Sequence, residues 1–116
     1  MVIKANALTR EERSNVRGGN GTIYFDHVLA DSQGLPKNCR LFAKLVIPKG
    51  ASLGEHPHEN ETEFYYILSG EGTCIDEGVE HIVSAGDTVI TGGGASHSIA
   101  NSGDADLVFL AAIVLD

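Results

Sequence analysis

From residue 22 to the C-terminus, the sequence alternates between short segments rich in β-branched and aromatic residues and turns that contain glycine. Segments of this kind, spaced about 8–12 residues apart, are typical of all-β sandwiches and barrels. No long stretch repeats its apolar residues with the helical period of about 3.6 residues. We expect the strands to close into a barrel or a double-sheet jelly roll, because open sheet edges promote aggregation. The predicted strands cover residues 22–30, 39–47, 63–69, 73–76, 79–83, 88–90, 96–100 and 107–115.

The chain length fits one hydrophobic core and is too short for two, since the protein has 116 residues. We divide it into an N-terminal arm and loop, residues 1–21, and a barrel domain, residues 22–116. Within the arm, Thr9 and Glu12 have the spacing of a capping box, which predicts one short helical turn. Residues 17–21 contain three glycines and predict a flexible loop.

The charge and apolar patterns disfavour two classes of partner. The formal net charge is −8, and no cluster of lysine and arginine interrupts the acidity, whereas nucleic-acid binding needs a basic surface. No apolar run approaches membrane-spanning length, and the first residues lack the apolar core of a signal peptide. Cys39 and Cys74, the only cysteines, are expected to be reduced thiols packed in strands. These features predict a cytoplasmic protein that binds neither nucleic acid nor membranes.

Two histidines that lie two residues apart, His56 and His58, are the first indication of chemistry. Residues two apart in a strand point to the same face of a sheet. Both imidazoles would therefore face one space if this segment is extended, while Pro57 would face the other way. A short polar connector then leads to Glu63, which begins the next predicted strand and can fold back beside the histidines. The His-x-His pair alone is a weak signal, because a solvated pair in a loop has the same sequence.

A second segment adds His97, which follows a glycine-rich turn at residues 92–94. Three neutral imidazoles and one carboxylate suit Mn, Fe, Co, Ni or Zn, and they leave positions open for water and substrate. Glu59 and Glu61 are rival carboxylates, although the spacing favours Glu63. His97 could instead be an ordinary turn residue.

Together these residues resemble the cupin superfamily, which has two sequence motifs. The first motif, G-x5-H-x-H-x4-E-x6-G, is matched at every position, and the second, G-x5-P-x-G-x2-H-x3-N, at all but one. Gly92 stands where the second motif has proline, and we expect a more flexible turn before His97 as a result. The matching residues are Gly50, His56, His58, Glu63 and Gly70 in the first motif and Gly86, Gly94, His97 and Asn101 in the second.

The resemblance implies a small, single-domain, metal-binding cupin. Its fold would be a double-stranded β-helix of two packed sheets, with one divalent transition metal per chain held inside (Mn, Fe, Zn, Ni or Co). The resemblance also implies that His56, His58, Glu63 and His97 are the metal ligands, and that the matching glycines and Asn101 serve turns. A homodimer is expected, since related proteins often form one.

Further residues are candidates for lining the cavity around such a metal. Tyr65 and Ile67 share the face of Glu63 by strand parity, and they either line the cavity or fill the core. His27 shares a face with apolar residues, which predicts either a buried, hydrogen-bonded histidine or a pocket residue. Arg40 could meet an anionic substrate or a partner subunit, but exposure to solvent is the default expectation.

Three alternatives for the function stay open. The first is a metal-dependent enzyme that acts on a small oxygen-rich molecule such as a carboxylate, as decarboxylases, dioxygenases and isomerases of the resembled family do. The second is a non-catalytic module that binds or senses a small molecule. The third is a metal that mainly stabilises the fold. The sequence places no clear general acid or base inside the barrel, so the catalytic residues are unknown and turnover is a hypothesis.

Overall fold

The computed structural model describes all 116 residues and shows ten strands with three single-turn 3₁₀ helices. The helices span Ala5–Ala7, Val16–Gly18 and Asp31–Gln33. None of them is long and apolar enough to cross a membrane. The strands are β1 (Thr9–Ser14), β2 (Thr22–His27), β3 (Cys39–Ile47), β4 (Ser52–Pro57), β5 (Glu61–Ser69), β6 (Glu71–Asp76), β7 (Val79–Ser84), β8 (Thr88–Gly92), β9 (Ser96–Asn101) and β10 (Leu107–Leu115).

The strands form two antiparallel sheets. The larger sheet has the order β1-β2-β3-β10-β5-β8, and the smaller has the order β4-β9-β6-β7. The chain passes from one sheet to the other between β3 and β4, and returns between β4 and β5. This is the winding of a double-stranded β-helix, so the predicted all-β jelly-roll fold is confirmed. Strands β3 and β10 have the bounds that the sequence predicts.

The inner faces of the two sheets form one core, which ends at the polar site. Alternate residues of β10 point inward, and Phe109, Ala111 and Ile113 are almost fully buried. In the register of β10 with β5, Phe109 lies opposite Ile67 and Ile113 lies opposite Glu63. The inward row of β5 therefore begins with a carboxylate and continues with apolar side chains. This change of polarity places the candidate site at one end of the barrel core.

The N-terminal arm differs from the prediction. Residues 9–12 do not form a helical turn but belong to β1, which pairs with β2 from Thr9 opposite His27 to Ser14 opposite Thr22. A bidentate ion pair between Arg10 and Asp26, with nitrogen–oxygen distances of 2.6 and 2.9 Å, joins the two strands. Pairing with a neighbouring strand thus overrides a local capping signal. The predicted boundary after residue 21 falls in the connection between these two paired strands.

Gly92 also differs from the expected flexible turn. It ends β8 and pairs with Thr62 of β5. A Cβ atom at residue 92 would lie 2.5 Å from Thr62 Oγ1 and 2.9 Å from the Glu61 carbonyl oxygen. The glycine therefore permits close approach of two strands beside the site, and its role is packing rather than flexibility.

Candidate metal centre

Both sheets and one turn position the four predicted ligands. His56 of β4 lies opposite His97 of β9 in the smaller sheet. His58 follows β4 directly, and its amide N–H donates to the Ala95 carbonyl while its own carbonyl accepts from the Gly94 amide, at 3.0 and 2.9 Å. Glu63 points inward from β5 of the larger sheet. The predicted ligands thus meet where the two sheets face each other.

The ligand atoms of His56, His58, Glu63 and His97 all lie within 4.8 Å of one another. His97 Nε2 is 3.1 Å from His58 Nε2 and 3.1 Å from His56 Nε2. Glu63 Oε1 is 2.9, 3.0 and 3.9 Å from the Nε2 atoms of His58, His97 and His56. Each of the four residues is at least 94% buried, since their exposed fractions are 6, 2, 4 and 1%.

The other nitrogen of each ring has its own hydrogen-bond partner. His56 Nδ1 donates to the Gly54 carbonyl oxygen at 2.7 Å, and His58 Nδ1 donates to Glu61 Oε2 at 2.5 Å. His97 Nδ1 lies 2.8 Å from the Thr91 hydroxyl. A carbonyl or a carboxylate can only accept, so the Nδ1 atoms of His56 and His58 must carry protons. The Nε2 atoms of neutral rings then present lone pairs, and these are directed into the cluster.

This arrangement concentrates electron pairs at one buried point. Glu63 Oε1 is buried and has no partner with hydrogen-bond geometry, although buried polar atoms are almost always paired. Burial raises the pKa of Glu63, but its close contacts with the three histidines outweigh burial and hold that pKa well below its usual range. The contact with Glu63 raises the pKa of His58, against the effect of burial. Both shifts indicate a cluster that favours added positive charge at its centre.

A divalent transition metal would satisfy the cluster. Imidazole nitrogen together with carboxylate oxygen is a donor set that such metals prefer. Metal-binding histidines usually donate their second N–H to a carbonyl or a carboxylate, which fixes the tautomer, and His56 and His58 both do so here. His56, His58, Glu63 and His97 could therefore hold a metal, and the donor set does not choose among Mn, Fe, Co, Ni and Zn.

Three residues of the cluster, His56, His58 and Glu63, form the floor of a cavity of about 180 Å³ between the sheets. Tyr65 lines this cavity and stacks on His97, with ring centroids 5.0 Å apart and an interplanar angle of 18°. Burial raises the pKa of Tyr65 well above its usual value, so the residue is a neutral phenol. Arg13, Arg17 and Arg40 also line the cavity.

The remaining sequence-predicted residues fall into different positions. His27 is half-buried, lines the cavity and has its Nε2 atom 3.0 Å from Glu11 Oε1. Ile67 is fully buried in the hydrophobic core and does not line the cavity. Arg40 is not simply solvated, because it forms a bidentate pair with Glu61 at 2.9 and 2.7 Å. Asn101 accepts from the Gly103 amide and donates to the Ile47 carbonyl, contacts that serve the turn before β10.

Sequence reasoning missed two residues that support the histidines, Glu61 and Thr91. The sequence presented Glu61 only as a rival of Glu63 for the metal, but its side chain is only 12% exposed and binds His58 and Arg40. A weak signal existed, since Glu61 lies three residues after His58 and two before Glu63. Thr91 pairs with Glu63 across β5 and β8. Nothing in the local sequence of β8 marks it, because its role depends on the register of two strands.

The Cupin domain family matches residues 43–113 of this chain. An oxalate-binding protein of Thermotoga maritima is 45% identical over 115 residues, which cover 99% of this chain and 94% of the relative. A crystal structure of a predicted oxalate decarboxylase from Thermotoga maritima superposes with a TM-score of 0.93 at 45% identity, covering all of both chains. A putative sugar phosphate isomerase from Acidithiobacillus ferrooxidans is 28% identical with a TM-score of 0.69, covering 80% of this chain and 59% of that one.

The matched family region contains all four clustered residues, and the likeness to the first two relatives extends through the N-terminal arm. The two sheets have the double-stranded β-helix winding that the sequence motifs implied. From motif, fold and family match together, this chain belongs to the cupin superfamily.

Proposed function

We propose that this protein binds one divalent transition metal per chain through His56, His58, Glu63 and His97, and that it binds a small carboxylate such as oxalate at that metal. The observation that carries the proposal is the buried convergence of imidazole lone pairs and the Glu63 carboxylate on the floor of a cavity. The oxalate-binding protein of Thermotoga maritima, at 45% identity, supports the choice of ligand.

The walls of the cavity support a small anionic ligand. The protein carries a net charge of −8 and has four arginines, Arg10, Arg13, Arg17 and Arg40. The last three of these line this one cavity. Arg13 and Arg40 are paired with Glu11 and Glu61, so Arg17 is the guanidinium that is left to attract an anion to that place. The volume of about 180 Å³ is below the range of about 300–1,000 Å³ that is typical of pockets for drug-sized ligands, so a smaller ligand is favoured.

Each part of the chain has a defined task in this proposal. A bound divalent ion supplies a Lewis acid for carboxylate oxygens. Gly54, Glu61 and Thr91 hold the imidazole rings in orientation through their Nδ1 atoms. Tyr65 lines the cavity and stacks on His97.

A second candidate function is turnover of the bound carboxylate by decarboxylation or oxygenation. One observation favours it: His27 lines the cavity and its Nε2 atom contacts Glu11, a pair that can exchange a proton with a ligand. Against it, Glu63 is the only carboxylate among the residues that line the cavity, and the metal would occupy it. Incubation with oxalate, with and without O₂, followed by assay of formate, CO₂ and peroxide, separates the two functions. If oxalate binds and none of these products appears, the chain is a binding protein rather than an enzyme.

We also propose a homodimer through the outer face of the larger sheet. Phe64 and Tyr66 alternate with inward residues of β5 and are 40 and 48% exposed. In the strand registers, Phe42, Ala112, Phe64 and Ile90 form one row across β3, β10, β5 and β8. A contiguous apolar row on a sheet face is typical of a surface that another molecule covers, and a second copy of this chain is the occupant that we propose.

The cysteines support a reducing compartment such as the cytoplasm. Cys39 and Cys74 are both free thiols, and disulfides form readily in oxidising compartments. Burial raises the pKa of Cys74 to about 11, so this thiol is protonated and unreactive at neutral pH.

Elemental analysis tests the metal proposal directly. We expect about one equivalent of a divalent transition metal per chain after reconstitution, and a loss of most of it in His58→Ala. The matched control is His81→Ala, since His81 is an exposed histidine of β7 outside the cluster. If His58→Ala retained the full metal content of the parent protein, the assignment of ligands would be wrong.

A further inference from the structure

Arg17 is the one arginine of the cavity that has no partner in the protein. Arg13 forms two hydrogen bonds with Glu11, both 3.0 Å long. Arg40 forms two with Glu61, at 2.9 and 2.7 Å. Arg17 lines the same cavity but makes no side-chain hydrogen bond and no salt bridge. Its five N–H donors are therefore available to a ligand.

The backbone that carries Arg17 is strained. Arg17 has φ 54° and ψ 31°, and Asn15 has φ 53° and ψ 42°, so both lie in the left-handed region. Asparagine adopts this conformation readily, but it is unfavourable for arginine and persists there only where the surroundings impose it. Arginine is not a residue that turn geometry selects for such a position. The strain is therefore consistent with a side chain that is required there for another reason.

The surroundings that impose this conformation belong to β4. The Asn20 amide donates to Ser52 Oγ, and the Ser52 amide donates to the Asn20 carbonyl, both at 2.9 Å. Within the segment, Asn15 Nδ2 donates to the Gly19 carbonyl at 3.1 Å. A Cβ atom on Gly19 would overlap the Ser52 carbonyl. Residues 15–20 thus pack directly against β4.

Gly54 links the position of Arg17 to the metal centre. A Cβ atom on Gly54 would overlap the carbonyl oxygen of Arg17, so the two backbones are in direct contact. The carbonyl oxygen of Gly54 also accepts the hydrogen bond from His56 Nδ1. The same residue therefore contacts the backbone of Arg17 and holds the ring of a predicted metal ligand.

We propose that Arg17 recognises the outer carboxylate of a dicarboxylate ligand that is bound over the histidine cluster. The proposal deepens the function proposed above and rests on it. A guanidinium presents parallel N–H groups that match both oxygens of a carboxylate. The metal would take one carboxylate of the ligand and Arg17 the other, so a small dianion would bind more tightly than a monocarboxylate.

Calorimetric titration of Mn²⁺-loaded protein with oxalate and with formate tests this assignment. We expect Arg17→Gln to weaken oxalate binding by about 10- to 100-fold, because it removes a charge-assisted pair. Formate binding should change by less than about threefold, since formate has no second carboxylate for Arg17 to bind. The oxalate affinity of Arg17→Lys should lie between those of the parent and Arg17→Gln. Lysine keeps the charge but lacks the parallel N–H groups of a guanidinium. Lys49→Gln removes the same charge from an exposed site outside the cavity and should match the parent.

Arg17→Gly separates recognition from folding. Glycine adopts positive φ without strain, so this variant should keep the thermal midpoint and metal content of the parent while losing oxalate affinity as Arg17→Gln does. Equal oxalate affinity in Arg17→Gln and the parent would overturn the role of Arg17. An equal loss of formate and oxalate affinity would also overturn it, since that result would indicate that the charge of Arg17 attracts any anion. Failure of the metal-loaded parent to bind oxalate would instead refute the proposed function.

Discussion

Glu61 accepts a hydrogen bond of 2.5 Å from His58 Nδ1. The carboxylate is fixed in turn by the bidentate contact of Arg40, with distances of 2.9 and 2.7 Å. Arg40 lowers the pKa of Glu61 against the effect of burial, and His58 lowers it further. An ionised Glu61 keeps the proton of His58 on Nδ1 and directs the Nε2 lone pair inward, so Glu61 controls the orientation and tautomer of a proposed metal ligand.

Glu61→Gln should therefore weaken metal binding without removing a ligand. The amide can still accept from His58, but it lacks the charge that favours the correct tautomer and holds Arg40. We expect the metal dissociation constant to rise by about 10- to 100-fold, measured by competition with a chelator of known affinity. Glu59→Gln changes an exposed neighbour in the connector before β5 and should leave the constant unchanged. Equal constants for Glu61→Gln and the parent would contradict the role of Glu61.

Thr91→Val should lower the stability of the metal-free protein. The Thr91 hydroxyl is the partner of His97 Nδ1 at 2.8 Å, and Thr91 is 1% exposed. Valine has a similar shape but leaves the buried ring nitrogen unpaired, so we expect a loss of about 1–3 kcal/mol in the free energy of unfolding. Thr88→Val, on the exposed start of the same strand, is the control. Chemical denaturation of the metal-free proteins measures the difference, and equal stabilities of Thr91→Val and Thr88→Val would refute this role of Thr91.

The sequence singled out the four residues of the cluster and missed the residues that support them, for one physical reason. His56 and His58 share a face through the two-residue period of a strand, which is local information. Thr91 reaches His97 only because β8 pairs with β5 in one register, and Arg17 reaches the cavity only because its loop packs on β4. Long-range pairing of this kind cannot be predicted from the local sequence pattern.

The same limit explains the two errors of secondary structure. Thr9 and Glu12 carry a helix-capping pattern, but pairing with β2 decides their conformation. Gly92 looked like a flexible turn because glycine is locally permissive, whereas its neighbour Thr62 leaves no space for a Cβ atom. The strands β3 and β10 were predicted with correct bounds, because their long runs of apolar and β-branched residues are strong local signals.

The Arg10–Asp26 pair should make the stability of the protein fall as the pH becomes acidic. The hydrogen bonds from Arg10 lower the pKa of Asp26 against the effect of burial, so the folded protein binds a proton at Asp26 less readily than the unfolded chain does. The contribution of the carboxylate is complete above the unfolded pKa of about 3.9, and it is lost as the pH falls through the lower folded pKa. Asp26→Asn should thus be less stable than the parent at pH 7, with a difference that shrinks towards pH 3. Denaturation at both pH values checks this, and a difference that is the same at both would contradict the assignment.

Phe64→Glu should disrupt the proposed homodimer. It places a charge in the middle of the apolar row on the outer face of the larger sheet, where burial would require desolvation of that charge. Size-exclusion chromatography with light scattering should show a dimer for the parent and a monomer for the variant. Ile82→Glu, at a 60% exposed position of the smaller sheet, should remain a dimer. A monomeric parent protein would refute the proposed interface.

The central claim is that His56, His58, Glu63 and His97 hold a metal at which a small carboxylate binds. Calorimetric titration of oxalate into Mn²⁺-loaded protein and into the same protein stripped by a chelator tests it most directly. We predict saturable binding with one oxalate per chain in the loaded protein and none in the stripped protein. Equal binding to both forms, or no binding to the loaded form, would contradict the account.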